Sequence, residues 1–310
     1  MGESGQRYSG IAGVLIAAIL WGTTGTAATF APDLSPLAIG AVAMGVGGLL
    51  QTIIAGNTLI CQRQLIFSHW HFLLTGAIAV TIYPLAFYAS MHYAGVTIGT
   101  VISIGSAPLL TALIEYRFDK VHLTRRWMCG AAVGICGMVM LCLAENYGQS
   151  AGDALITAGI FLGLLAGFTY AFYSWSARRL MQAGVASRAA MGAIFGAGGA
   201  LLMPVLFITG SPLLASWNNA AVGFYMAVIP MFAGYICYGY GLARVSASTA
   251  TTLTLIEPVI AALLAVMLVG ERLPLFGWVG VGLIVACLGI ITVPFEKCSF
   301  TFTRRRPDNL

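Results

Sequence analysis

The chain has 310 residues, 59% hydrophobic and 8% charged, with 38 glycines and a mean hydropathy of +0.91. Soluble domains carry about 25% charged residues, so this composition excludes a water-soluble globular protein and assigns most of the chain to lipid. The net charge of +5 is spread over short loops rather than gathered on a folded domain, which argues against a nucleic-acid partner.

The N-terminal "MGESGQRYSG" lacks the basic region and small-residue cleavage site of a signal peptide, so the apolar run after it reads as a retained first helix. A crossing helix needs about 20 mostly apolar residues. On that basis ten spans are predicted near 10–30, 35–56, 71–91, 96–116, 127–144, 154–176, 189–209, 218–241, 246–269 and 275–294. The breaks carry turn chemistry, as in "APDLSP", "ENYGQSAGD", "GSPLLASWNN" and "GERLP".

With the N-terminus cytoplasmic, Arg7, Arg63, Arg117, Lys120, Arg125, Arg126, Arg178, Arg179, Arg188, Arg244 and the tail residues Lys297, Arg304, Arg305 and Arg306 are inside, and only Arg272 is outside. The positive-inside rule therefore predicts that both termini are cytoplasmic. Dropping one span would invert every later loop.

An offset of about 150 residues lays one half over the other, a pattern expected of internal repeats. Trp21 then falls opposite Tyr170, Tyr88 opposite Tyr238 and Pro108 opposite Pro258. Five spans per half is an odd number, so residues 1–148 and 149–310 are expected to form two inverted five-helix repeats in one transmembrane unit.

Glu257 lies near the middle of the ninth span, in "TLIEPVIAALL". An ionisable group at that depth faces the bundle interior or a wet cavity, and by default it is functional. Two roles fit: a proton-coupling carboxylate in a substrate site, or an acceptor for backbone freed by Pro258. The paired Pro108 and Pro258 serve as hinges or cavity-lining breaks, or else as static kinks. Trp21, Tyr83, Phe87, Tyr88, Tyr170, Tyr173, Trp175, Tyr235, Tyr238 and Tyr240 group on spans one, three, six and eight. They suit either a substrate cavity that stacks flat or cationic solutes, or core packing and interfacial belts. Trp70, Trp127, Trp217 and Trp278 fall near span ends and are assigned to belts. The small-residue ladders "GAAVGICG" and "GWVGVGLIVACLG" predict close helix packing, with a dimer face as the other use.

The acids, including Glu115 near a helix end, are dispersed, and the seven cysteines and four histidines show no metal-ligand spacing. No P-loop or hydrolase signature is present. An enzyme is not expected, and neither a metal nor a cofactor.

"LWGTTGTAATF", "GSAPLLTALI" and above all "LIEPVIAALLAVMLVGERLPLFGWVGVGLIVACLGI" resemble the EamA-type branch of the drug/metabolite transporter superfamily, over about residues 10 to 294. The first half departs from the pattern at "YRFDKVHL", where the Gly-Glu pair is missing. The resemblance implies a multi-pass carrier of the bacterial inner membrane that exports a small molecule by alternating access, as a monomer or homodimer. Amino acids or related amines are the expected substrates. A multidrug exporter of aromatic cations is the alternative, and a lipid flippase a more distant one.

Overall fold

The structure is a computed structural model and describes residues 3–94, 96–145, 153–269 and 274–293. The "GER" of the last loop, with Glu271 and Arg272, and the basic tail with Cys298 lie outside the described residues. Among the described residues every regular element is helical.

Eight stretches are long and apolar enough to cross a membrane: Gly5–Thr29, Pro36–Cys61, Trp70–Ala94, Leu155–Gln182, Ser187–Thr209, Trp217–Leu242, Ala247–Leu268 and Leu275–Thr292. They correspond to predicted spans one to three and six to ten. The predicted fourth and fifth spans are occupied by helices of 24 and 21 residues that fall outside those eight. Both carry ionisable residues in an end turn, Glu115, Arg117 and Asp119 on one and Arg125 and Arg126 on the other.

In chain order the helices are α1 (Glu3–Gly22), α2 (Thr24–Thr29), α3 (Pro36–Gly40), α4 (Gly47–Cys61), α5 (Arg63–Ser68), α6 (Trp70–Ala94), α7 (Val96–Asp119), α8 (Arg125–Glu145), α9 (Asp153–Gln182), α10 (Ser187–Thr209), α11 (Trp217–Met226), α12 (Gly234–Leu242), α13 (Ala247–Leu253), α14 (Glu257–Leu264) and α15 (Leu275–Thr292). We call the end of the bundle that carries Arg63, Lys120, Arg188 and Arg244 the basic end, and the opposite one the far end.

Local chemistry sets the helix limits. Ser35, Ser216 and Ser246 accept the amide protons of Ala38, Asn219 and Thr249 and so start α3, α11 and α13. Helix α9 runs to Gln182, six residues past the predicted end at 176. It stops in a Schellman turn, with Gly184 at φ +97° and Val185 N–H bonded to Leu180 O. Arg178 and Arg179 lengthen the span because their head groups reach carbonyls and a carboxylate at the basic end.

Three spans lose regular α-helix. Ala41–Val46, Ala227–Ala233 and Ala265–Val269 are π-helical, and Thr254–Ile256 is a 3₁₀ turn. The two matched prolines behave differently. The ninth span tightens just before Pro258, whereas α7 continues through Pro108. Helix α9 lies so close to α7 that a methyl on Gly167 would stand 2.7 Å from Ser103 O, and this packing holds α7 in line.

Glycine ladders set the interhelix spacing. A Cβ on Gly192 would lie 2.6 Å from that of Ala55, joining α10 to α4, and one on Gly137 would lie 2.7 Å from Gly280 O, joining α8 to α15. The two predicted small-residue runs thus face each other within one chain. Trp70, Trp217 and Trp278 are exposed, but Trp127 is buried in the core. It opens α8 at a point where the neighbouring Arg126 is anchored to the carbonyls of Ile290 and Val293, so the first turn of α8 is pressed against α15 and not against headgroups.

Candidate functional site

A narrow cavity lies in the middle and far half of the bundle, where α1, α6, α9, α12, α14 and the π segment after α3 meet. It is lined by Trp21, Tyr83, Tyr88, Tyr170, Tyr235 and Glu257, with Gly40, Met44 and Met231 among the others. Its volume is about 30 Å³, room for a water or two but not for an organic solute.

Each side chain is held by a different device. The Trp21 indole donates to Pro230 O at 2.9 Å, a carbonyl in the π segment before α12. Gly234 makes this reach available, since a Cβ there would sit 2.8 Å from Trp21 Nε1. Gly40 does the same for Tyr88, whose ring would lie 2.8 Å from an added Cβ. Tyr170 pairs with the Thr254 hydroxyl at 2.9 Å, Tyr173 with Tyr235 at 2.8 Å, and Tyr238 donates to Ser174 at 2.9 Å. Ring centroids of Trp21 to Tyr235 and Tyr238 are 4.7 and 5.2 Å apart, and those of Tyr83 to Tyr170 and Tyr173 are 5.6 and 5.8 Å apart.

Glu257 begins α14 directly after the 3₁₀ turn. Tyr83, Tyr88 and Tyr235 are within electrostatic reach of its carboxylate. Among the described residues no hydrogen-bond donor meets it, and no Lys, Arg or His lines the cavity. Helix α1 closes in on the break because Gly22 has no side chain, and a Cβ there would be 2.8 Å from Glu257 O.

Of the residues singled out in the sequence, the structure brings together Trp21, Tyr83, Phe87, Tyr88, Tyr170, Tyr235 and Glu257 around the cavity. Tyr173 and Tyr238 pack behind it, towards the basic end, with Phe195. Trp175 stands apart, stacked among Phe72, Phe118 and Phe172, with its indole N–H on Asp119 Oδ2 at 2.8 Å. Pro258 flanks the cavity through Glu257, whereas Pro108 is outside its lining.

Sequence reasoning missed a polar latch at the basic end. Glu115, 2% exposed, accepts the backbone N–H groups of Ala247 at 2.8 Å and Ser248 at 3.1 Å, where α13 begins. Arg178 donates to the carbonyls of Leu242 and Val245, where α12 ends. The anion thus meets the positive end of one helix and the cation the negative end of the other. Asp119 adds an ion pair to Arg179 at 3.2 Å. Glu115 of α7 and Arg178 of α9 thus grip the turn between α12, which carries Tyr235, and α13, which leads through the 3₁₀ turn to Glu257. The available signal was Glu115 inside the last turn of one apolar span and Arg178 two residues past the predicted end of another.

The profile of the EamA-like transporter family matches the chain twice, at residues 8–143 and 157–293. The chain belongs to that family and is a multi-pass membrane transporter. It is 30% identical to the uncharacterized transporter YwfM of Bacillus subtilis, over 92% of this chain and 94% of the relative. It is 24% identical to a probable terminal-alkyne amino-acid exporter of Streptantibioticus cattleyicolor, over 88% of this chain and 92% of the relative. A solved crystal structure shares the fold at a TM-score of 0.77 and 19% identity, covering 92% of this chain and 96% of the other.

Proposed function

We propose that the protein is a secondary carrier that exports a small amine or amino acid across the inner membrane, with Glu257 as the group that alternately holds substrate and proton. The observation that carries this reading is a carboxylate at mid-membrane that faces phenol rings and has no neighbouring cation among the described residues. Such a group recognises an ammonium by charge, while the rings add cation–π attraction. A proton and an ammonium compete for the same oxygens, so binding one releases the other. That competition is the elementary requirement for proton-coupled exchange.

Ten crossing helices, including α7 and α8, arranged as inverted halves 1–148 and 149–310, form the frame of this carrier. The two profile matches of nearly equal length support that division. The concentration of arginines at one end supports cytoplasmic termini. The small cavity together with the latched basic end supports a conformation sealed towards the cytoplasm, and alternating access then requires the latch to part. Pro258 and the 3₁₀ turn before it are the hinge of that movement, and Pro108 bends the matching helix less. The amino-acid exporter among the relatives supports an amino-acid substrate.

A second reading, export of aromatic cations without a carboxylate, is favoured by one feature: the described cavity lining holds no Lys, Arg or His to receive a substrate carboxylate.

The test is binding of amino acids, amines and lipophilic cations to purified protein at several pH values, followed by proton-driven uptake into vesicles. For an amine, affinity should rise with pH as protons leave Glu257 and then level off. Glu257→Gln should flatten this dependence and abolish coupled transport. Unchanged pH dependence in that variant removes Glu257 from the coupling role, and tighter binding of lipophilic cations than of amino acids selects the second reading.

A further inference from the structure

Away from the central cavity, a second hollow of about 190 Å³ opens on the flank of the bundle towards its basic end, between α4, α10 and α12. Gln51 forms part of its wall. This residue is 4% exposed, and neither its amide nitrogen nor its amide oxygen has a hydrogen-bond partner. A buried amide left unpaired costs about 1–3 kcal/mol, and lipid supplies no water to satisfy it. Arg188 borders the same hollow, is exposed, and makes no ion pair or hydrogen bond among the described residues. It is the second residue of α10, whose N-cap position is Ala186, without a capping side chain. Gln62 Oε1 accepts the N–H of Ala186, and the amide protons of the first turn that follow it lack a capping side chain and lie beside a free guanidinium, a combination that attracts an anion. The Arg244 guanidinium lies 3.5 Å over the ring of Tyr240, another wall residue, and adds a second positive charge nearby. Apart from Ser187, the remaining walls are apolar, and Ile54 and Ile236 are 50% and 42% exposed on the flank that faces lipid.

We propose that this hollow binds an anionic phospholipid of the leaflet at the basic end. The phosphate sits on Arg188 and the first turn of α10, the Gln51 amide donates to an oxygen deeper in the headgroup region, and one acyl chain lies along Ile54 and Ile236. A free anion would use the arginine and the helix end but not the apolar, sideways-open walls. A basic pocket between helices at headgroup level has the chemistry of a lipid site. This inference is independent of the substrate reading, because it uses no residue of the central cavity.

The full chain, purified in a neutral detergent, is titrated with dioleoylphosphatidylglycerol, dioleoylphosphatidylcholine or inorganic phosphate, and its Tm is followed. The expected result is a saturable rise with phosphatidylglycerol alone. Arg188→Gln should raise the half-maximal lipid concentration about tenfold, the loss expected for one charged hydrogen bond. Gln51→Leu should also weaken the response, while Arg63→Gln, at the same end but outside the hollow, should leave it unchanged. An undiminished response in both Arg188→Gln and Gln51→Leu overturns the proposal. So does an equal loss in Arg63→Gln, which means diffuse surface charge, or an equal rise with inorganic phosphate, which means a free-anion site.

Discussion

Two carboxylates lie within the helical bundle, and their surroundings give opposite expectations for their removal. Glu115 accepts two backbone N–H groups at the start of α13, so Glu115→Ala strips a buried helix end of its acceptor. The expected loss is about 3 kcal/mol, with about half of that for Glu115→Gln, which keeps one acceptor. Glu257 has no such donors, so Glu257→Gln is expected to leave stability unchanged or raise it. Thermal unfolding of the three variants in one detergent checks the contrast, and a drop for Glu257→Gln as large as that for Glu115→Ala would contradict it. In the sequence both residues are single acids in apolar runs. Glu257 stood out because it is far from any predicted span end, whereas Glu115, close to one, counted only among the dispersed acids. What distinguishes them is the direction of the helix end that each meets, and no local pattern contains that information.

At the level of elements, the irregular segments matter more than the regular ones. The π segment Ala227–Ala233 presents the Pro230 carbonyl to Trp21, and Gly234 leaves the indole room to reach it. π segments inside α-helices often accompany functional sites. Gly234→Ala pushes a methyl against the indole and is expected to cost about 1–3 kcal/mol. Trp21→Phe, which loses the hydrogen bond without a collision, is expected to cost about 1 kcal/mol. In a Trp21→Ala background most of the Gly234→Ala penalty should vanish, because the colliding ring is gone. Equal penalties in both backgrounds, read as Tm shifts, would mean that the methyl offends something other than Trp21. Pro230 and Pro258 are visible in the sequence as helix breakers. That one yields a π segment and the other follows a 3₁₀ turn, while Pro108 leaves its helix unbroken, depends on which neighbour fills the space beside each.

For the whole molecule, the charge distribution predicts an orientation that thiol labelling can read. In a background without the native cysteines, Arg63→Cys at the basic end should resist an impermeant reagent added to intact cells, whereas Leu214→Cys at the far end, 90% exposed, should react. The reverse pattern would invert the topology. Length, hydropathy and lysine and arginine placement determined by themselves a membrane-embedded helical chain and the approximate positions of its apolar spans. Each follows from the cost of burying polar backbone and charge in lipid, which acts on every residue wherever it lies in the fold. Only the tertiary structure decided that six of the ten grouped aromatic residues line one cavity with Glu257, that Trp175 joins a separate aromatic cluster, and that Glu115 and Arg178 latch a distant turn. Those outcomes depend on how closely glycines let particular helices approach, a property of pairs of helices that single-chain periodicity does not carry.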